Sequence, residues 1–277
     1  MTENTNPLEK YYRQPAIYIK LPSKGKYYGP DAFTPTETGE IGVLPMTAKD
    51  EITFKTPDAM INGQATVDVI KSCVPNIKDP WQMVNYDTDS VLLAIRIATY
   101  GETMNISYNV PVTAESQEHT VNLPAMLETV AKADIQDYAT TSKGFKIKIQ
   151  PLTYKTLTKI QIARFEQQKI YTTLDNSQLG EQEKQSAFAK SFDTLNKVNF
   201  SLLIDSIAEI TTPEGETVTD REQIIQFCNH TDAKTIDEIQ EKLSSLRLQA
   251  QIKPLMVKAT EEQIKKGVPA SFEVPLT

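Results

Sequence analysis

Two acidic pairs, Asp87/Asp89 and Glu261/Glu262, and four scattered soft or imidazole ligands, Cys73, His119, Cys228 and His230, are the groups here with the means to do chemistry. Paired carboxylates divide acid and base roles, and Cys with His holds zinc. The spacing supports neither use. Zinc sites are usually announced by close ligand pairs, and Cys228/His230 has no second pair to meet. Asp87 or Asp89 reads as the cap of a helix, and Glu261/Glu262 as a solvated loop. Gly25-Lys26 lacks the upstream glycine and the following Ser or Thr of a phosphate loop, and no G-x-S-x-G, H-E-x-x-H or kinase signature occurs. The expectation is no enzyme: no catalytic residue, no cofactor and no metal site.

The bulk numbers point the same way. The chain has 277 residues, 39% apolar and 23% charged, which suits a globular protein with a sizeable core. Its net charge of −7 argues against a general nucleic-acid binder. No apolar run reaches the roughly 18 residues of a membrane span, and the polar start MTENTNPLEKYY has no signal-peptide core. A soluble, cytoplasmic product is expected. Two distant cysteines fit a reducing compartment better than a disulfide framework.

The elements that must position any site follow from pattern. Residues 1–15 read as an extended arm. Residues 16–21 alternate as a strand, with a turn at Pro22-Ser23-Lys24-Gly25, and 41–46 form a second strand. Thr47 caps a helix carrying Asp50 and Glu51 in its first turn, and Pro57 stops it. A second helix over 65–74 buries Val67, Ile70 and Val74. A third presents Val91, Leu92, Ile95 and Ala98 on one face and ends at Gly101. Arg96 on this helix is expected to lie across the surface beside a carboxylate. Residues 104–112 and 119–123 predict a hairpin, followed by a short helix over 124–132 and a strand over 145–149.

Beyond residue 150 the pattern turns helical: 154–174, 181–210, 220–228 and 236–249. Phe188, Phe192, Leu195 and Leu202 make one stripe of the second of these, read as core. Residues 255–259 and 272–276 close a final hairpin that loosely echoes the first. The whole predicts an α+β protein: an arm (1–15), a mixed module (16–150), a helical region (151–251), and a terminal hairpin (252–277) packing on the rest.

The vocabulary of docking is concentrated early. Tyr18, Tyr27 and Tyr28 interleave with Lys20, Lys24 and Lys26, a pattern that suits nucleic-acid stacking or a protein partner; the net charge favours the protein. Trp81, the chain's one tryptophan, and Met83 follow a segment stiffened by Pro57, Pro75 and Pro80, which lowers the ordering cost of binding. Tyr27, Tyr28, Trp81 and Met83 are therefore the expected partner-contact residues, with core burial the competing reading for Trp81.

Leu21-Pro-Ser-Lys-Gly-Lys-Tyr-Tyr28, Pro45-Met-Thr-Ala-Lys-Asp-Glu51, Lys55-Thr-Pro-Asp-Ala59, Asn62-Gly63, Val69-Ile-Lys-Ser-Cys-Val74, Lys78-Asp-Pro-Trp81 and Ala94-Ile-Arg-Ile-Ala-Thr-Tyr-Gly-Glu102 together resemble the baseplate hub family of T4-like contractile-tailed phages. The resemblance is strong over residues 16–102 and extends to the remainder in layout. It implies a structural component of the tail baseplate, located in the virion after assembly in the host cytoplasm, contacting other baseplate and tail proteins and present in several copies. An assembly chaperone absent from the finished particle is the alternative, and a nucleic-acid adaptor a third. Relatives of this type often carry cysteine pairs in both hairpins. Residues 106–112 and 255–258 here have none, so packing of Ile106, Tyr108, Val110, Val121 and Leu123 is expected to hold them.

Overall fold

The computed structural model describes residues 6–56, 62–132, 135–175, 180–249 and 251–274; Pro57 lies outside them. The fold is α+β. Strand β1 (Ile17–Lys20) pairs antiparallel with β2 (Glu40–Val43), in a register running from Ile17 opposite Val43 to Lys20 opposite Glu40. Helix α1 (Ala48–Phe54) starts with a reciprocal capping box in which Thr47 and Asp50 satisfy each other's backbone N–H. Arg13 ties the preceding arm to this corner. It donates to Asp50 at 3.1 Å, to the Pro45 carbonyl at 2.6 Å and to the Ser72 carbonyl at 2.7 Å.

Helices α2 (Gln64–Cys73) and α3 (Asn85–Tyr100) supply most of the first core, and Gly101 at φ 96° closes α3. Val69, Ile70, Cys73, Val91 and Ile95 pack there against Ile19, Ile41 and Val43. Arg96 has no carboxylate among the described ion pairs. Its guanidinium lies 5.2 Å from the Tyr100 ring centre and its Nε is 3.2 Å from the Met104 sulfur. A flat cation finds its partner one turn along the helix in an aromatic face.

Strands β3 (Thr103–Asn109) and β4 (Ser116–Asn122) form a hairpin that leads into α4 (Leu123–Ala131), capped by Asn122. A four-stranded antiparallel sheet follows, in the order β5 (Tyr138–Thr140), β6 (Lys146–Ile149), β7 (Ile207–Thr211), β8 (Thr217–Val218). It takes two strands from each side of position 150. Between them runs a long helical hairpin, α5 (Tyr154–Asp175) and α6 (Glu181–Asp205). Helix α6 stops at Asp205 and not at residue 210. The Ser206 hydroxyl donates back to the Leu202 carbonyl at 2.7 Å, and Ile207 and Ile210 enter the sheet opposite Ile149 and Ile147. Branched isoleucines suit a pleated, buried strand better than another helical turn.

The second core joins this sheet to α6, α7 (Arg221–His230) and α8 (Ala233–Gln249) through Ile147, Leu203, Ile224 and Leu243. Strands β9 (Leu255–Lys258) and β10 (Ser271–Val274), separated by α9 (Glu261–Lys265), make the last hairpin. Its Phe272 and Val274 pack with Val110 of the first hairpin, and Phe272 meets Tyr108 with ring centres 5.9 Å apart.

Candidate functional site

The loop after β1 is held by a carboxylate 64 residues away. Asp87 lies in the first turn of α3, entirely buried, and accepts from the Ser23 N–H at 2.9 Å, from the Ser23 hydroxyl, and from the Tyr28 hydroxyl at 2.6 Å. It is not the cap expected for that helix: Val84 occupies the N-cap position and offers no side-chain cap. The Tyr28 hydroxyl also accepts the Val84 N–H at 3.0 Å, so it fills the gap that a capping side chain leaves. Burial pushes the Asp87 carboxyl up, and the hydrogen bonds from Ser23 and Tyr28 oppose that shift. Burial, then the Asp87 charge, pushes the Tyr28 phenol far above its ordinary range.

The loop's outer side is held the same way. Tyr27 donates to Asp137 at 2.7 Å, and Lys26 pairs with the same carboxylate. Burial pushes the Asp137 carboxyl up, but hydrogen bonds from Lys26 and Tyr27 more than offset this and leave it lowered. Gly25 takes φ 76°, and a Cβ there would come within 3.2 Å of the Phe33 ring.

Trp81 and Met83 serve a second seam. Asp79 accepts the Trp81 N–H at 3.3 Å in a one-turn 3₁₀ helix over Pro80–Gln82. The indole stacks on Tyr154 at 5.6 Å and is half-buried. Gly63 must lack a side chain for this, since a Cβ would sit 3.0 Å from Thr158 and 3.2 Å from the indole. Met83 is only 2% exposed, and its carbonyl accepts the Tyr154 N–H at 2.6 Å. Of the four residues expected to meet a partner, Met83 therefore faces the core. Tyr28 is engaged with Asp87, Tyr27 with Asp137, and Trp81 is half-buried against Tyr154. Position near a helix start marks Asp87 as a cap, whereas its actual partners, Ser23 and Tyr28, are about 60 residues away and leave no local signal.

The constellation ties the loop after β1 to the start of α3 and to Asp137. Asp87 accepts from Ser23 and Tyr28 and is fully buried. Cys73 and Cys228 are buried in the two separate cores, and burial, with the Asp50 charge, pushes the Cys73 thiol up to about 11. Among the described residues no three His, Cys, Asp or Glu come together as metal ligands, and no helix is long and apolar enough to cross a membrane.

Exposed apolar side chains occur in both halves, among them Tyr18 and Ile52 in the first module. Phe165, Ile170 and Phe192 stand exposed on the α5–α6 hairpin. The stripe expected as core thus carries a phenylalanine that is 63% exposed at position 192. Two helices packed on each other bury one seam, and Ser191, hydrogen-bonded to Gln167, occupies it. A groove of about 500 Å³ opens between α4, the base of β4 and the approach to β9, lined by Val121, Met126, Val130, Leu255 and Met256.

A family model described as "T4 bacteriophage base plate protein" matches residues 15–268. No curated protein and no solved structure matches the chain.

Proposed function

The chain belongs to the T4 bacteriophage base plate protein family, and from that premise we propose that it is a structural subunit of the hub region of a phage tail baseplate, working through protein contacts and not through catalysis. The observation that carries this reading is the contrast between the locked polar constellation and the uncovered apolar surface. Asp87 and Asp137 spend their hydrogen-bonding capacity on their own chain, whereas Phe165, Phe192 and the groove at Met126 are left to be covered. Contacts with other tail proteins would cover the helical hairpin, with aromatic side chains as anchors. The net charge of −7 speaks against nucleic acid as the partner.

Quantitative mass spectrometry of purified, intact particles tests this. A fixed copy number relative to a known six-fold baseplate protein is the expected result. Absence from particles, together with abundance in the lysate of infected cells, would replace the structural subunit by an assembly factor.

A further inference from the structure

Asn62-Gly63 is the one place in the chain where glycine follows asparagine. Such a pair can react with itself. The asparagine side chain carries an amide carbon, Cγ, within reach of the next backbone nitrogen, and a glycine there has no Cβ to obstruct the approach. Reaction needs two further things. The side chain must fold back over the following peptide, and a donor must hold the negative charge that collects on Oδ1.

Both are present at the start of α2. The Asn62 Oδ1 accepts the Gln64 N–H at 2.9 Å, which turns the side chain back over the Gly63 peptide. Gly63 is the N-cap of α2, so the Gln64 N–H lies at the positive end of the helix dipole. A donor already aimed at an oxygen strengthens its hold as charge develops there. The Gln64 side chain does not compete for this position, since it donates to Asp68 at 2.7 Å. Asn62 is exposed to water, and Gly63 behind it is buried with φ 77°.

We propose that Asn62 is a self-modification site, deamidated by the backbone of its own chain. Hydroxide removes the Gly63 N–H proton, and the nitrogen bonds to Asn62 Cγ, placing the charge on Oδ1 under the Gln64 N–H. Collapse breaks the bond from Cγ to the side-chain nitrogen, which takes a proton from water and leaves as ammonia. Water then opens the cyclic imide at either carbonyl, giving aspartate or isoaspartate. The two products meet the structure differently. Aspartate keeps an oxygen for the Gln64 N–H and puts negative charge where the helix dipole favours it. Isoaspartate lengthens the main chain next to Gly63, where even a Cβ would sit 3.0 Å from Thr158 and 3.2 Å from the Trp81 indole. The seam between the first module and α5 therefore accepts the first product and resists the second. This inference goes beyond the baseplate reading and does not rest on it.

Peptide mapping of aged protein by mass spectrometry tests it. The tryptic peptide 56–71 holds Asn62 as its one asparagine, and its aspartate and isoaspartate forms separate by chromatography. The native chain, kept in mildly alkaline buffer, should convert Asn62 at least as fast as the same chain unfolded in guanidinium chloride. Aspartate should form a several-fold larger share of the native product than of the unfolded one. Asn62→Asp, which installs that product directly, should fold with a Tm at or above that of the unaltered protein. No conversion in the native chain, or conversion several-fold slower than in the unfolded one, would overturn the proposal. Equal product shares in the two samples, or a lowered Tm in Asn62→Asp, would overturn the part given to the seam. Particle composition plays no part in these outcomes, so failure here is distinct from failure of the baseplate role.

Discussion

The α2–α3 core and the α5–α6 hairpin are both helical pairs, yet one is enclosed and the other half bare. Helices α2 and α3 are covered by the β1–β2 ribbon, by α1 and by α4, and even the polar residues of α3 are buried: Asp87, Thr88 and Ser90 are each 2% exposed or less. Each has a named partner, Asp87 on the loop and the two hydroxyls on carbonyls one turn back. Helix α5 packs chiefly on α6, and the pair leaves Phe165 and Phe192 in water. Enclosure converts polar side chains into fixed struts; lack of a third layer converts apolar ones into surface. The difference places buried polar struts in the first module and a bare helical pair in the second, where the proposed contacts would lie.

The largest effect should come from cutting the strut. Asp87→Ala strands the Ser23 N–H and hydroxyl and removes an acceptor from Tyr28, at a cost of about 3 kcal/mol or more, since buried unsatisfied groups cost about 1–3 kcal/mol each. Urea unfolding reads this directly. A loss below about 1 kcal/mol would mean that the loop is held by its apolar contacts and not by the carboxylate.

Trp81→Ala should come next, at about 2 kcal/mol. Large-to-small changes at fully buried aromatics cost about 3–5 kcal/mol, and this ring is half-buried against Tyr154. A destabilised but folded variant that keeps its tail-protein contacts places Trp81 in the seam. Unchanged stability with lost co-purification would return it to the partner surface.

The acid limb of stability separates two carboxylates of the first module. Burial pushes Asp50 up, but hydrogen bonds from Thr47 and the Arg13 charge more than offset it, so its folded value is depressed. Its stabilisation is present above the ordinary carboxylate value of about 4 and is lost as pH falls through the folded value. Asp87 runs the other way. Its raised folded value means that stability declines as pH climbs from the ordinary value through the folded one. Thermal unfolding from pH 6 to pH 2 should therefore show a shallower acid loss, by about 1 kcal/mol, in Asp50→Asn. An acid limb identical to that of the unaltered protein would contradict the role given to Asp50.

The smallest effect on stability is expected at the bare pair. Phe192→Ser should change unfolding by less than about 0.5 kcal/mol, as exposed substitutions do. Its incorporation into particles should nevertheless fall. Full incorporation would show that this face of the helical hairpin is not the adhesive one.

Much of the first module was legible in the sequence because its signals are local. Thr47 and Asp50 lie three residues apart in a capping box, Gly101 ends α3 where a positive φ is needed, and the apolar spacing of α2 places Val67 and Ile70 inside. The contact residues were harder to read. Tyr, Trp and Met are the common anchors of interfaces and equally good core residues, so type and rigidity alone pointed to Met83, which the fold then buried. The stripe on α6 failed in the opposite sense. Helical periodicity marks an apolar face but does not state how many layers will cover it.

By itself the sequence determined the α+β class, most elements and the family, because capping, turn chemistry and period act over a few residues and long ordered motifs survive in order. Tertiary structure decided which apolar face is core and which is surface, joined strands on either side of position 150 into one sheet, and gave Asp87 its partners 64 residues away. Burial and long-range hydrogen bonds depend on what folds back over a segment, and that neighbour is not written in the segment itself.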